Sequence, residues 1–331
     1  MQADFPKKVI HGGKILETKR RFGHELLDVS ASMNPFVPEF SCAFETADLA
    51  CYPDDTYTAL KEKIGRLFSR RTDEICVGNG SAELIRVFCQ TVLSPGMRCR
   101  IDMPTFGEYG LSARLAGAGV VTDGKADVRF LCNPNNPTGV LLPRSAVRGL
   151  IDAAEAEGTR LFIDEAFMEL AEKDESVSDV RSDSLFVLRS ITKCFSVPGI
   201  RFGFGFGPAE LIEKIETART PWTVNAFAEK YAMLAFSHYA ELRESADKIT
   251  AERKWYAAEL AKLGLSCSPS QVNFITIDMR RPAADVAAKM LESGILVRDC
   301  TSFCLPSCIR VSVEKRESNR RVLEALAGCL R

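Results

Sequence analysis

The chain has 331 residues, 46% of them hydrophobic, and a formal net charge of −1. This length and composition allow a large buried core and indicate two domains. The near-zero charge gives no electrostatic case for binding nucleic acid or a membrane surface. No run of about 18 apolar residues occurs, and the first residues lack the apolar segment of a signal peptide, so we expect a cytoplasmic protein.

Two short motifs mark the N-terminal segment, residues 1–38, which we predict packs on the smaller domain or on a partner subunit. The first motif is His11-Gly12-Gly13-Lys14. The second runs from Leu27 to Pro35 and contains Ser32. A lone histidine such as His11 is more often structural than a ligand, and both interpretations stay open.

The large domain is predicted over residues 39–222. Strands and helices alternate from about Glu74 to Gly207, which indicates an α/β fold with a doubly wound, mostly parallel sheet. Apolar runs predict buried strands. Three of these runs are Phe130–Cys132, Leu161–Ile163 and Leu185–Leu188. Ligands of such sheets bind at the carboxyl ends of the strands.

A glycine-rich turn, Gly78 to Glu83, precedes a helical pattern. Backbone N–H groups at a helix start attract anions, so the turn suits a phosphate, although Ser81 could be a simple N-cap. Phe106 follows in Pro104-Thr105-Phe106. Its ring could lie flat against a planar ligand, or it could be a core residue.

Polar residues follow two of the predicted strands. Asn136 lies in the loop from Asn133 to Gly139, which is a plain turn or a source of a side-chain donor. Asp164 ends the strand that begins at Leu161. An acid at that position can pair with the nitrogen of a pyridine cofactor, or it can cap a helix.

Lys193 follows the third strand in the segment Ser190-Ile191-Thr192-Lys193, and Arg201 lies shortly beyond. A lysine at a strand end, with a hydroxyl before it and an arginine after it, suits a Schiff base with pyridoxal phosphate (PLP). Ser190 and Arg201 would help to hold the phosphate. Taken alone, the pattern fits a solvated surface lysine better.

The last part, residues 223–331, is predicted to contain a linking helix and a smaller α+β domain. Apolar residues at helical spacing extend from about Val224 to Leu263. The elements predicted beyond it are strand Val272–Ile277, helix Ala283–Glu292, strand Ile295–Arg298, strand Ile309–Val313 and helix Arg316–Leu330.

Cys300, Cys304 and Cys308 have an even spacing that could suggest a metal or iron–sulfur site. No fourth cysteine is near, and Pro306 interrupts the segment, so we predict no metal site. Most of the 12 cysteines are expected to be small, reduced core residues.

Six motifs together resemble the fold-type I PLP-dependent enzymes, the aminotransferase class I/II superfamily. They are GNGSAE, PTF, NPNNPTG, DEAF, SITK and PGIR, and the resemblance runs from about Tyr52 to Arg310. It implies that Lys193 is the Schiff-base lysine and that Asp164 is the partner of the pyridinium nitrogen.

The resemblance also implies roles for further residues around the cofactor. Asn136 would bind the phenolic oxygen of PLP, and Phe106 would stack on its ring. The implied phosphate cup consists of Gly80, Ser81, Ala82, Ser190 and Arg201. Tyr52 resembles the tyrosine that reaches the cofactor phosphate of the neighbouring subunit, which implies a homodimer with shared active sites.

Two arginines indicate the kind of substrate. Arg310 matches the arginine that grips the α-carboxylate in this superfamily. Arg298 matches the arginine that binds the substrate phosphate in the histidinol-phosphate aminotransferase branch. The pair implies a small phosphorylated amino acid, although either arginine alone could equally form a surface ion pair.

Two families of this branch compete, and four features resemble the threonine-phosphate decarboxylases. These are the opening HGGK, the run LDVSASMNP, Phe167 where aminotransferases usually carry tyrosine, and the run PWTVN. The resemblance implies decarboxylation of L-threonine O-3-phosphate in cobalamin synthesis, with His11 and Ser32 near the substrate. Transamination of histidinol phosphate, or of another small amino acid, is the alternative.

Two non-catalytic functions are less favoured. A PLP-fold ligand sensor of a transcription factor carries a DNA-binding domain, and this chain has neither the room nor the basic patch for one. An inactive scaffold would be expected to lose the lysine or the aspartate, and both Lys193 and Asp164 are present.

Overall fold

The computed structural model describes residues 5–22 and 25–330. The elements of the first half are α1 (Ile15–Phe22), β1 (Leu27–Asp28), α2 (Thr58–Phe68), β2 (Ile75–Gly78), α3 (Ser81–Val92), β3 (Arg98–Ile101), α4 (Glu108–Leu115), β4 (Gly119–Val121), β5 (Val128–Cys132), α5 (Arg144–Glu157) and β6 (Arg160–Asp164).

The second half continues the alternation and then changes pattern. Its elements are β7 (Leu185–Ser190), α6 (Ile191–Cys194), β8 (Gly203–Phe206), α7 (Ala209–Ala218), α8 (Ala226–Ala235), α9 (Leu242–Lys262), β9 (Ser266–Cys267), β10 (Phe274–Asp278), α10 (Ala283–Glu292), β11 (Ile295–Leu296), β12 (Arg298–Asp299), β13 (Cys308–Ser312) and α11 (Arg316–Leu330).

A seven-stranded sheet forms the centre of the molecule, in the order β2-β8-β7-β6-β5-β3-β4. Along this order, the four neighbouring pairs from β7 to β4 are parallel, and β8 is antiparallel to both of its neighbours. The predicted α/β, mostly parallel sheet is therefore confirmed.

Burial on both faces explains why the central strands are continuous apolar runs. In β7, Leu185 and Val187 belong to the core on one face of the sheet, and Phe186 and Leu188 belong to the core on the other. Helices cover both faces, as parallel strands require. The first core contains residues of α2, α5 and α8, and the second contains residues of α3 and α7.

A smaller antiparallel sheet has the order β12-β13-β10-β9. Its core is shared with α9, α10 and α11. The predicted strand over residues 295–298 is two short strands in the structure. Ile295–Leu296 pairs with β1 of the N-terminal segment, whereas Arg298–Asp299 pairs with β13, so the chain changes partner at Val297.

The helical stretch predicted from 224 to 263 is also interrupted. A 3-10 turn, Phe236–Glu241, separates α8 from α9. Phe236 packs edge-on against Phe204 of the large sheet, at 5.3 Å between ring centroids. Tyr239 accepts a hydrogen bond from Arg189 at 2.9 Å. These contacts with the large sheet hold the turn where periodicity alone predicts a continuous helix.

The N-terminal segment joins the two sheets. Asn34 donates its backbone N–H to the carbonyl of Lys193 at 3.1 Å, next to the large sheet. Val29 accepts a hydrogen bond from the backbone N–H of Ser312 in β13 at 2.8 Å. Residues 29–34 thus lie between the carboxyl ends of the central strands and the small sheet.

Candidate active site

A cavity of about 570 Å³ lies where the two sheets and the N-terminal segment meet. Its size falls within the usual range for ligand pockets, roughly 300–1,000 Å³. The cavity is lined by nine of the residues predicted from sequence: His11, Ser81, Phe106, Asn136, Asp164, Ser190, Lys193, Arg298 and Arg310. A cavity of similar size at the amino ends of the strands contains none of the predicted residues.

Lys193 is held at this cavity by a short helix that follows β7. Ser190 begins the helix, and its Oγ accepts the backbone N–H of Thr192 at 3.3 Å. The Nζ of Lys193 donates to the carbonyl of Ala31 at 2.8 Å. Burial, reinforced by the charges of Arg310 and Arg201, lowers the pKa of Lys193 to about 8. A much larger share of its amine is therefore neutral and nucleophilic near physiological pH.

Asp164 ends β6 and is buried beside Tyr109. The Tyr109 hydroxyl donates to Oδ2 at 2.7 Å, and the backbone N–H of Ala166 donates to Oδ1 at 2.9 Å. Burial raises the pKa of Asp164. A buried carboxylate that accepts neutral donors has a strong electrostatic preference for a cation, such as a protonated ring nitrogen.

The predicted phosphate cup is close-packed around Gly80. This glycine has φ +79°, and a Cβ there would overlap the guanidinium of Arg201. Arg201 has a left-handed φ of 59°, and its guanidinium donates to the carbonyl of Pro198 at 3.1 Å. Ser81 begins α3 and lines the cavity, so the helix start faces it. Gly80, Ala82 and Arg201 lie at the cup without lining the cavity itself.

These residues fit PLP. A nucleophilic lysine, a buried acid and an anion cradle at a helix start surround one cavity, and Phe106 supplies an aromatic wall. A Cβ at Gly80 would displace the guanidinium of Arg201, so a side chain at this position would disturb the cradle. When bound, PLP supplies an electron sink for the bond that breaks at the substrate Cα.

Arg310 lies on β13 at the opposite side of the cavity from the large sheet. Its Nη2 donates to the carbonyl of Ser30 at 3.0 Å, and its Nη1 contacts Oδ1 of Asn136. The guanidinium lies over the ring of Phe274, 4.9 Å from the centroid. Burial lowers the pKa of Arg310 to about 10. Asn136, a predicted cofactor ligand, is thus in contact with Arg310, a predicted substrate ligand.

Arg298 lies directly across from Arg310 in the β12–β13 pair. It donates to the carbonyl of Ile10 at 2.7 Å and to Ser302 Oγ at 2.6 Å. None of the hydrogen bonds of these two arginines within the described chain goes to a carboxylate. Like charges directly opposite each other on paired strands are unfavourable, so this part of the cavity favours anions.

His11 lines the cavity next to the residue that Arg298 contacts. Its Nε2 lies 2.9 Å from Oε1 of Glu108, and Arg86 donates to the other oxygen of Glu108 at 3.1 Å. The sequence analysis did not find Glu108 or Arg86. Their positions on helices α4 and α3 give no signal beyond ordinary charged helix residues.

Besides Gly80, Ala82 and Arg201, two further predicted residues do not line the cavity, Ser32 and Tyr52. Ser32 has a left-handed φ of 53°, and its buried hydroxyl has no partner among the described residues. Its neighbours Ala31 and Met33 line the cavity instead. Tyr52 is 77% exposed and stacks on Trp222 at 4.4 Å between ring centroids.

Phe167, which stands where the sequence comparison with aminotransferases predicts a tyrosine, lines the cavity. Its ring is buried and packs edge-on against Phe274, with 5.1 Å between centroids. Because phenylalanine has no hydroxyl, Asn136 is the predicted donor to the phenolic oxygen of the cofactor.

A buried ionic network that sequence reasoning missed supports the strand ends behind the site. Glu165 accepts hydrogen bonds from Arg189 at 2.6 Å, from Ser176 at 2.6 Å and from the backbone of Val177 at 2.8 Å. Arg189 also binds Glu169 at 3.0 Å. Glu165 and Arg189 adjoin Asp164 and Ser190 in sequence, so the network fixes both strand ends.

The cysteines form no cluster with the geometry of a metal site. In residues 5–22 and 25–330, no group of three histidine, cysteine or acidic side chains is arranged to hold a metal ion. Cys300 is buried, and burial raises its pKa to about 11. Within the same residues, no helix is both long and apolar enough to span a membrane.

Comparison with known proteins establishes the family. The chain matches Aminotransferase class I and II over residues 37–128 and 122–326. The protein belongs to this family. It has the fold-type I architecture, and PLP is its cofactor.

The curated relatives carry two names. A protein of Caldanaerobacter subterraneus subsp. tengcongensis, with the proposed name threonine-phosphate decarboxylase, is 35% identical, over 96% of this chain and 93% of its own. Histidinol-phosphate aminotransferase of Symbiobacterium thermophilum is 31% identical, over 98% and 96%. Further relatives, from 25% to 31% identical, share that aminotransferase name.

Solved structures show the same fold. The L-threonine-O-3-phosphate decarboxylase from Porphyromonas gingivalis superposes with a TM-score of 0.79 at 22% identity, covering 98% of both chains. The histidinol-phosphate aminotransferase from Sinorhizobium meliloti, in complex with pyridoxal-5'-phosphate, gives 0.84 at 21% identity, covering 96% of this chain and 94% of the other.

Proposed function

We propose that this protein decarboxylates L-threonine O-3-phosphate to (R)-1-amino-2-propanol O-2-phosphate and CO2, in cobalamin synthesis. The observation that carries the proposal is the position of the N-terminal loop. The motif that resembles the decarboxylase opening is His11-Gly12-Gly13-Lys14, and its first three residues line the cavity beside Arg298. The relative at 35% identity supports the same activity.

In this proposal the two arginines orient the substrate. Arg310, which has a free Nε among its buried nitrogens, takes the α-carboxylate in a bidentate contact. Arg298 and His11 bind the phosphate at the other end of the substrate. Because the arginines face each other across one strand pair, they fix both anions on one side of the cavity. This fixed placement sets which bond at Cα is aligned for cleavage.

Decarboxylation also requires a proton donor to Cα, and Lys193 has this second role in the proposal. Loss of CO2 leaves an electron pair at Cα, and one proton must arrive there to give the amine product. With a pKa near 8, Lys193 exists in both forms at neutral pH, so it can take up and return a proton. Lys193 and Asp164 are therefore the proposed catalytic residues.

The remaining predicted residues have proposed roles in holding the cofactor. Phe106 stacks on the ring, Asn136 binds its phenolic oxygen, and the phosphate lies in the cup of Gly80, Ser81, Ala82, Ser190 and Arg201. Tyr52 reaches the cup of a second subunit, since it lies outside its own cavity and is exposed. The assembly that this requires is a homodimer with shared active sites.

Histidinol-phosphate aminotransferase is the second candidate. The names of several relatives favour it, and the phosphate of histidinol phosphate is an anion that suits this arginine-lined part of the cavity. It differs in the bond that is cleaved, because transamination removes the Cα proton and needs a keto acid to complete the cycle.

Two parallel assays of PLP-loaded protein test the proposal. The first offers L-threonine O-3-phosphate with no keto acid, and the second offers histidinol phosphate with 2-oxoglutarate. We expect catalytic CO2 release in the first assay. Glutamate formation in the second assay alone would contradict the decarboxylase and assign the aminotransferase.

A further inference from the structure

A carboxylate that the proposed reaction does not use, Glu108, lies behind His11 at the end of the cavity near Arg298. Glu108 begins α4, and its side chain is only 8% exposed. One of its oxygens contacts Nε2 of His11 and the other contacts Arg86. A buried charge is costly unless it is paired, so the groups that contact the Glu108 carboxylate indicate its role. Of these partners, His11 is the one that lines the cavity.

The chemistry of this contact fixes the direction of the hydrogen bond. The contact with His11 lowers the pKa of Glu108, so the carboxylate is ionised at neutral pH. An ionised carboxylate can only accept, and Nε2 of His11 must therefore carry the proton. The other ring nitrogen, Nδ1, is then the one left to serve a ligand. Only the imidazolium form can donate from both nitrogens, so a phosphate that accepts from Nδ1 is bound by that form.

The carboxylate lies behind the imidazole with respect to the cavity. His11 lines the cavity, whereas Glu108 does not, although its neighbours Gly107 and Tyr109 do. Arg86 contacts the second oxygen, so the negative charge lies between two basic groups. Glu108 can therefore orient His11 without presenting its own charge to an anionic ligand.

The loop that carries His11 is tied down on both sides of this contact. Arg298 holds the carbonyl of Ile10 at 2.7 Å, and Ser30 Oγ accepts the backbone N–H of Gly13 at 3.0 Å. Gly12 allows the close approach, because a Cβ there would lie 2.7 Å from the carbonyl oxygen of Ser30. The loop therefore keeps His11 and Arg298 at the same end of the cavity.

We propose that Glu108 is a positioning residue that determines specificity for a phosphorylated substrate. It holds His11 as a hydrogen-bond donor to the distal phosphate, alongside Arg298. The inference rests on the proposed function only in taking that anion to be the phosphate of the substrate.

The test measures binding without reaction. The ligands are 3-phosphooxybutanoate and 3-hydroxybutanoate, which lack the amine and so cannot join the cofactor. Calorimetry with PLP-loaded protein gives both dissociation constants. We expect Glu108→Gln and His11→Asn each to weaken binding of the phosphorylated ligand about tenfold, the loss of one charge-assisted contact. Binding of 3-hydroxybutanoate should not change.

A double variant separates positioning from a general structural effect. If Glu108 acts through His11, then Glu108→Gln combined with His11→Asn binds the phosphorylated ligand no more weakly than His11→Asn alone. The matched control is Glu210→Gln, which removes an exposed carboxylate of α7 that pairs with Lys214. It should leave both dissociation constants unchanged.

Three results would overturn the inference. They are equal weakening of both ligands by Glu108→Gln, additive losses in the double variant, and no preference of the unsubstituted protein for the phosphorylated ligand. Failure of the proposed function looks different. In that case the selective effect of Glu108→Gln persists, while L-threonine O-3-phosphate releases no CO2.

Discussion

At the scale of single residues, the site depends on how burial changes the chemistry of Lys193. The amine is buried near two arginines and contacts only a backbone carbonyl among the described residues. Surroundings of this kind favour the neutral amine, whereas a solvated lysine is almost entirely protonated at neutral pH. Burial likewise raises the pKa of Asp164, so its carboxylate is most stable when it is paired with a cation.

Replacing the lysine should abolish its link to the cofactor. We expect Lys193→Ala to lose the visible absorbance of lysine-bound PLP and to lower turnover by roughly 10²–10⁴-fold or more. Lys214→Ala, which removes an exposed lysine of α7, is the control. Absorbance spectra and turnover of the two variants check this, and a lysine-linked spectrum in Lys193→Ala would show that another amine binds the cofactor.

The lowered pKa of Lys193 predicts a pH dependence. Only the neutral amine attacks the cofactor aldehyde, so the rate at which apoprotein recombines with PLP should rise with pH and level off above about 8. Stopped-flow absorbance measures this rate. A rate that keeps rising beyond pH 9, towards the ordinary lysine value of about 10.4, would contradict the buried environment.

Motifs at strand ends allow the sequence to predict which side chains meet at one cavity. Lys193, Asp164 and Asn136 follow apolar strands, and parallel strands bring their carboxyl ends together. Tyr109 and Glu108 escaped notice because they lie on a helix, where polar residues have many ordinary uses. Ser32 has a left-handed φ that no local sequence pattern predicts, and it does not line the cavity.

At the scale of elements, the loop between β2 and α3 depends on a glycine for space as well as for backbone freedom. Gly80 and Gly264 both have positive φ, +79° and +75°. A Cβ at Gly80 would overlap Arg201, whereas nothing lies within 4 Å of a Cβ at Gly264. The two positions thus separate backbone strain from crowding of the phosphate cup.

This comparison makes a direct prediction. Gly264→Ala should lower the free energy of unfolding by about 1–2 kcal/mol, because alanine is strained at positive φ. Gly80→Ala should lower it by more, because Gly80 combines a φ of 79° with a ψ of 157°, a region that essentially only glycine adopts. Gly80→Ala alone should also weaken PLP binding by at least about tenfold, or about 1.4 kcal/mol. Chemical denaturation and cofactor titration measure these effects, and equal cofactor affinity in the two variants would exclude the proposed cup.

Element boundaries show the limit of sequence patterns. The apolar runs predict β5, β6 and β7 because these strands are buried on both faces. The break between α8 and α9 depends on contacts of Phe236 and Tyr239 with the distant large sheet. The partner change at Val297 likewise depends on β1, which comes from the other end of the chain. The local spacing of apolar residues indicates neither the helix break nor the change of strand partner.

At the scale of the whole molecule, the proposed homodimer assigns Tyr52 to the site of a second subunit. Tyr52 lies outside its own cavity, so a role at the cofactor phosphate requires a second subunit. Tyr52 and Trp222 form an exposed stacked pair, and Leu49 nearby in the chain is also exposed. Apolar surface of this kind is a common feature of subunit interfaces.

Subunit mixing tests the shared site. Inactive Lys193→Ala and Tyr52→Ala proteins should regain activity when mixed, because a mixed dimer has one site with both residues intact. Random exchange predicts roughly a quarter of the unsubstituted activity, since half of the dimers are mixed and each has one good site. If subunits exchange and no activity returns, Tyr52 belongs to its own subunit's site or to none.

The central claim concerns which bond at the substrate Cα is broken, and one experiment lets both outcomes compete. PLP-loaded protein receives L-threonine O-3-phosphate labelled with ¹³C at the carboxylate, together with 2-oxoglutarate. We measure labelled CO2 and glutamate from the same reaction. We expect CO2 to form in large excess over glutamate. Glutamate formation with the label retained in a keto acid would contradict it.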